Sequence, residues 1–174
     1  VECKKCHHRF RKDFLDEDGK TKCPDCSGEI TAPKNFNGMF KTFIGPTEDT
    51  ASIGYLRPET AQSIFVNFNN ILNSFSPKIP FGVGQIGKSF RNEITAGNFI
   101  HRTLEFEQME LEYFIDPRKN NWNEIFEMWK SEMYKWIDYV GINKSLCHEN
   151  EKKGADLAHY SKRTVDIEFD FPFG

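Results

Sequence analysis

No stretch of this sequence is apolar for long enough to cross a bilayer, since a helical span takes about 20 consecutive apolar residues. A membrane-spanning helix within it is excluded. The opening residues carry no secretory-leader pattern. Positive charge is not in excess: 23 Lys and Arg stand against 26 Asp and Glu, a net charge of −3, so composition alone gives no nucleic-acid signature. Internal repeats and low-complexity tracts are missing, which removes repeat arrays from consideration. Cysteine is scarce, with five in 174 residues, and four of the five fall in Cys-x-x-Cys pairs. That usage points to a reduced compartment and metal ligation rather than a disulfide framework. What is there suffices for one domain of ordinary size with a small appendage, and 17 phenylalanines can fill its core.

The paired cysteines are Cys3-Lys4-Lys5-Cys6 and Cys23-Pro24-Asp25-Cys26. Two thiolate pairs at this spacing suit a tetrahedral zinc ribbon over residues 1–33, each pair on a tight knuckle. A turn at Asp16–Lys20 is expected between two short strands. So small a segment cannot bury a core of its own, and a structural zinc on Cys3, Cys6, Cys23 and Cys26 would replace one. A ligand set in which His7 or His8 takes the place of a cysteine is the alternative. With all four positions filled by protein, the metal is structural rather than catalytic. Cys147 is left over and reads as a plain thiol.

Further along, Phe36, Met39, Phe40, Phe43 and Ile44 predict a strand, followed by a polar, mobile connection to Ser52. A helix is expected to start at Arg57-Pro58-Glu59, with proline in its first turn, and to run through Ile64, Phe65, Phe68, Ile71 and Leu72 to a stop near Asn73–Pro77. Residues 122–140 form the clearest amphipathic helix, with Asn120 or Asn121 as cap, Gly141 as stop and an aromatic stripe expected to pack on the back of a sheet. Residues 142–158 are polar. Thr164–Phe171 alternates, predicting a strand with an acidic face.

The most informative stretch is Gln85–Pro117, which divides into two alternating segments around a loop. Gln85, Gly87, Ser89, Arg91 and Glu93 share one face of the first, opposite Ile86, Phe90 and Ile94. In the second, Phe106, Gln108, Glu110 and Glu112 oppose Met109, Leu111 and Tyr113. Ala96, Gly97 and Asn98 mark a turn in the loop. This predicts an antiparallel hairpin with one polar face. An arginine suits a phosphate, an aromatic beside it can stack on a base, and carboxylates can receive an amine. A solvated face of alternating salt bridges is the other reading of the same pattern. For Glu59, likewise, a first-turn carboxylate facing the helix dipole is the alternative to a ligand contact.

Phe90-Arg91-Asn92-Glu93, then Arg102 and Phe106-Glu107-Gln108-Met109-Glu110, resemble motif 2 of the class II aminoacyl-tRNA synthetases. Arg57-Pro58-Glu59-Thr60-Ala61-Gln62 upstream narrows the likeness to the homodimeric glycyl-tRNA synthetase family, over nearly the whole chain. Leu104 stands where relatives usually carry arginine, and His101 replaces a commoner apolar or aromatic residue. The resemblance implies an α+β fold: a class II antiparallel sheet flanked by helices, with the zinc-ribbon-like module at 1–33 and part of the catalytic domain at 34–174. Motifs 1 and 3 are not found, so the expectation is an internal piece of a larger enzyme, inactive alone.

The resemblance also implies the chemistry. ATP, brought with Mg²⁺, and glycine form glycyl-adenylate, and glycine then passes to the 3′ end of tRNA(Gly). Arg91 is the implied catalytic residue. The implied ATP site comprises Arg91, Asn92, Glu93, His101, Arg102, Thr103, Leu104, Glu105 and Phe106. Within it Arg91 holds the α-phosphate, Glu93 approaches the adenine amine, Phe106 stacks under the ring and Arg102 reaches the outer phosphates. The implied glycine site comprises Glu59, Phe106, Glu107, Gln108, Met109 and Glu110, with Glu59 and Glu110 on the ammonium. The implied setting is a cytoplasmic homodimer without membrane contact. The rival reading from another class is a catalytically silent synthetase-like protein that binds nucleic acid or regulates partners.

Overall fold

In the computed structural model, which describes residues 1–97 and 99–172, short antiparallel pairings and a few helices make an α+β protein of two units, Val1–Phe114 and Ile115–Gly174. Within the first unit the cysteine module departs from the expected pair of strands. Its pairing is limited to single bridges, Glu2 with Arg9 and Cys3 with Ile30. Lys12–Glu17 forms a helix, α1. Lys12 and Asp16 pair one turn apart along it, and Leu15 is its buried residue. The turn expected at Asp16–Lys20 is the end of this helix: Gly19 at φ +63° donates to the Asp16 carbonyl, and the Lys20 N–H donates to that of Leu15.

The expected strand over Phe36–Ile44 shrinks to Lys41–Phe43 (β1), paired antiparallel with Ile53–Tyr55 (β2). The polar connection between them is held by a reciprocal cap. Asp49 accepts from the Ala51 and Ser52 N–H groups while the Ser52 hydroxyl accepts from the Asp49 N–H.

The helix expected to start at Arg57–Glu59 begins instead at Ala61, and it is two helices, Ala61–Val66 (α2) and Phe68–Phe75 (α3). The break has a local cause. Asn67 sits at φ −88°, ψ 1°, and its side-chain amide donates to the Ser63 carbonyl at 2.8 Å, competing with the helical ladder. Ser76, left-handed at φ 45°, ends α3.

The predicted hairpin is formed by Phe81–Phe90 (β3) and Glu105–Phe114 (β4), paired throughout with Gln85 opposite Glu110, Gly87 opposite Gln108 and Ser89 opposite Phe106. The expected face assignment holds along both strands, and it is this polar face that is covered. Ser89 is fully buried, while Ile86 and Met109 on the other face are 73% and 64% exposed. Arg91 and Glu93 are expected on the first strand, but β3 stops at Phe90 and both lie just past it. Gly97 and Arg102 exchange backbone hydrogen bonds and close the loop. Asn98 of the expected turn lies outside the described residues. At the far end of the hairpin Phe65, Phe68, Phe81 and Phe114 form an aromatic cluster with ring centroids 4.7–6.1 Å apart, fastening α2 and α3 to the strands.

In the second unit, Trp122–Tyr139 is a helix, α4, capped by Asn121, whose side chain accepts from the Asn123 N–H. The chain turns out at Gly141, φ +79°. The expected late strand is Val165–Phe169 (β6). Its partner Cys147–Glu151 (β5) lies in a stretch read as merely polar. The acidic face of β6 is paired rather than left to solvent: Lys152 lies 3.1 Å from Asp166, and His148 lies 3.1 Å from Glu168. No helix among the described residues is long and apolar enough to cross a membrane.

Candidate functional site

The polar face of the hairpin is organised by the strap Arg57–Thr60 laid across it. Arg57 anchors the strap to β3: its Nε donates to the Lys88 carbonyl at 2.7 Å, and its own carbonyl accepts from the Phe90 N–H. The guanidinium crosses directly over Gly87, where a Cβ would lie 2.5 Å from Nη2, so residue 87 has no room for a side chain while Arg57 is seated. At the other end of the strap Thr60 is fully buried. Its N–H donates to Glu110 at 2.6 Å, and its hydroxyl donates to the same carboxylate oxygen. These bonds fix the direction of the Glu110 carboxylate and leave its second oxygen without a hydrogen-bond donor among the described residues.

Three carboxylates meet here. Glu59, on the strap, accepts from the Gln62 amide. Glu112 has its carboxyl held above the usual range by burial, reinforced by the negative charges of Glu110 and Glu59. Such a cluster favours an incoming cation. Ser89 adds a buried hydroxyl with no hydrogen-bond partner among the described residues. At the mouth of this face Arg91 donates through Nε to the Pro58 carbonyl at 3.2 Å and lies over the Phe106 ring, 5.3 Å from its centroid. Its N–H donates to the Leu104 carbonyl, which carries the pairing one step past β3.

The expected site residues thus fall into groups. Arg91, Phe106, Gln108, Glu110 and Glu59 gather along the covered face and its strap. Glu105, Glu107 and Met109 point to the opposite face by strand alternation, and Glu105 pairs there with Lys88. Asn92 is spent on its neighbours: its N–H donates to the Gly38 carbonyl and its amide to that of Asn37, each at 2.9 Å. Glu93 and Arg102 line a groove beside Arg91. His101 and Thr103 belong to the returning loop, where the Thr103 hydroxyl donates to the Glu105 carbonyl. Sequence reasoning missed the structural parts played by Arg57, Thr60 and Glu112. The alternation did place Glu112 on this face, a signal that it belonged with the other acids.

The four thiols form a second site. Cys3 and Cys26 sulfurs lie 3.5 Å apart and Cys6 and Cys23 sulfurs 3.6 Å apart, and all four fall within 4.8 Å of one another. Thiolates around a tetrahedral zinc sit ~3.8 Å apart, given Zn–S bonds of ~2.3 Å, so the donor set fits that ion. Each knuckle closes in the same way, with a left-handed residue after the second cysteine: His7 at φ 60° and Ser27 at φ 57°. Their N–H groups return to the carbonyls of Cys3 and Cys23. The backbone N–H of Cys6, with that of Lys5, lowers the Cys3 thiol to about 6. The His8 N–H draws Cys6 down, but burial and the neighbouring thiols push it up to about 12. His8 is not among the four but bonds Asp25 at 2.5 Å beside them.

No family model matches the chain. Proteins named glycine–tRNA ligase do. That of Treponema denticola is 51% identical over 100% of this chain and 39% of its own length. That of Streptomyces coelicolor is 46% identical over 100% of this chain and 41% of its own length. That of Acetivibrio thermocellus is 46% identical over 100% of this chain and 43% of its own length. The chain therefore spans about two fifths of the length of these curated relatives. At this identity across all of its residues, the chain is a homologue of one continuous segment of the glycine–tRNA ligases.

Proposed function

We propose that the protein to which this chain belongs is a glycine–tRNA ligase of the class II type, that residues 34–174 are part of its catalytic domain, and that the hairpin is the floor of its activation site. One observation supports this most: Arg91 is stacked over Phe106 at the mouth of a face whose other end holds Glu59, Glu110 and Glu112. A cation beside an aromatic ring suits a nucleotide phosphate and base, and an acid cluster beyond it suits a small ammonium. In the proposed reaction a glycine carboxylate oxygen bonds to the α-phosphorus of ATP as the bond to the departing pyrophosphate breaks. A hydroxyl of the terminal tRNA adenosine then attacks the glycyl carbonyl and releases AMP. ATP brings its Mg²⁺ with it.

In this reading Arg91 bears the charge that develops at the α-phosphate, and Glu59 and Glu110 hold the ammonium with Gln108 beside them. Thr60 and Arg57 are positioning residues that fix the strap. Glycine offers no side chain to grip, and a methyl group is worth only about 1–3 kcal/mol, so alanine must be kept out by a rigid wall. The strap, tied at both ends, is that wall. Residues 1–33 form a zinc-ribbon-like module in which Cys3, Cys6, Cys23 and Cys26 hold a structural Zn²⁺. The enzyme works as a cytoplasmic homodimer.

The test is glycine-dependent exchange of pyrophosphate into ATP by the full-length protein. Exchange that vanishes in Arg91→Ala supports the reading. A full-length protein that binds tRNA but shows no exchange makes this a silent relative instead.

A further inference from the structure

The three acids of the covered face stand together without a cation to balance them. Glu110 and Glu112 alternate on β4 towards the side that the strap and α2 cover, and Glu59 belongs to the strap. Glu110 is tied to Thr60 and Glu59 to Gln62, but no hydrogen bond or ion pair among the described residues reaches the Glu112 carboxyl. The elements around it bring nothing positive. Neither α2, Ala61–Val66, nor α3, Phe68–Phe75, contains a titratable side chain. The charged residue of β3, Lys88, lies on the other face and pairs there with Glu105. Arg57 of the strap is committed to the Lys88 carbonyl and lies over Gly87. Val83 is the partner of Glu112, so Arg57 crosses β3 about 13 Å further along. Arg91, over Phe106, is more distant still. Burial, then the negative charges of Glu110 and Glu59, hold the Glu112 carboxyl above the usual range. The oxygens of the three acids do not all come within 4.8 Å of one another, so they are not the ligand set of one metal ion.

Carboxylates that lack a counter-charge keep a proton among them, and a cation arriving from outside displaces it. We propose that Glu112 is the proton exchanger of the ammonium site: it holds a proton while the site is empty and releases it to solvent as the glycine ammonium settles on Glu59 and Glu110. This rests on the ammonium role proposed above for those two residues. One positive charge enters and one leaves, so the occupied site keeps the net charge of the empty one. With the proton in place, the empty face carries two negative charges rather than three and attracts inorganic cations less. The linkage is reciprocal: glycine loosens the proton by the same factor by which losing the proton tightens glycine. Affinity for glycine therefore climbs as pH rises from the ordinary glutamate range through the raised value of Glu112, and levels off above it.

The experiment is calorimetric titration of glycine into the full-length protein at a series of pH values from about 5 to 8. Each titration is run in two buffers of different protonation enthalpy, which counts the protons released per glycine. The unsubstituted protein is expected to release a fraction of a proton, largest near the raised value of Glu112 and falling towards zero at higher pH. Glu112→Gln, of nearly the same shape, should lose that release and bind glycine about 5- to 150-fold more weakly at the upper end of the series. Infrared spectra give a second reading: the band of a protonated carboxyl should fade when glycine is added and be missing from Glu112→Gln. Glycine binding without proton release, a release that survives in Glu112→Gln, or a band that glycine does not change overturns the proposal and leaves the activity reading standing. A full-length protein that takes up no glycine overturns both. Should Glu112→Gln not fold, Glu112→Asp replaces it, and an unshifted pH profile of release overturns the proposal.

Discussion

Glu110 uses its two oxygens differently. One oxygen holds Thr60 and thereby the strap; the other, which no hydrogen bond among the described residues reaches, faces the ammonium in the proposed site. Glu110→Gln keeps an acceptor for Thr60 but removes the charge. In the full-length enzyme it is expected to raise the KM for glycine by the equivalent of about 2–5 kcal/mol, as truncated charge pairs do, with the KM for ATP nearly unchanged. Arg91→Ala is expected to depress kcat, because its contact strengthens as charge develops at phosphorus. A Glu110→Gln variant whose effect falls only on ATP would remove the ammonium role. Glu112 makes a different prediction. Its carboxyl is raised by burial and by two neighbouring acids, so the folded state holds this proton more tightly than the unfolded chain. Stability is then lost as pH rises from the ordinary glutamate range through the raised folded value. Thermal melts of Glu112→Gln against the unsubstituted protein should coincide at low pH and show the variant more stable at pH 7; a variant less stable at both would refute this.

At the scale of elements, alternation made the hairpin legible, because a period of two with one polar face admits few other structures. It misplaced Arg91 and Glu93 because alternation continues in the letters after the ladder stops. Beyond Phe90 the chain is taken by Asn92, which bonds the backbone at Asn37 and Gly38, and no rule of periodicity contains that partner. The broken helix was invisible for a related reason: Ile64, Phe65, Phe68 and Ile71 keep helical spacing across Asn67, while the break comes from one amide turning back to Ser63. In the cysteine module the ligand spacing was plain, but its helix is too short to show a period. Gly28 there carries a prediction. A Cβ at that position would lie 2.9 Å from the Lys5 Cβ and 3.0 Å from the Cys3 sulfur, both held by the first knuckle and unable to yield easily. Gly28→Ala should weaken zinc binding in chelator competition, and Cys23→Ser should abolish it while the hairpin keeps its strand signal. One equivalent of zinc retained by Cys23→Ser would argue for His8 as a ligand.

For the molecule as a whole, the joint between module and hairpin has a consequence of timing. Thr95 and Arg9 are 86 positions apart, so the module leaves the ribosome well before its dock exists. At roughly 5–20 residues per second the wait is about 4–17 s, long compared with the folding of so small a segment. A segment that depended on the hairpin for its shape would spend that interval exposed and unfolded. One fastened by four thiolates around an ion, as proposed for Cys3, Cys6, Cys23 and Cys26, can be finished early and stand ready, so that the loop after β3 closes onto a module already made.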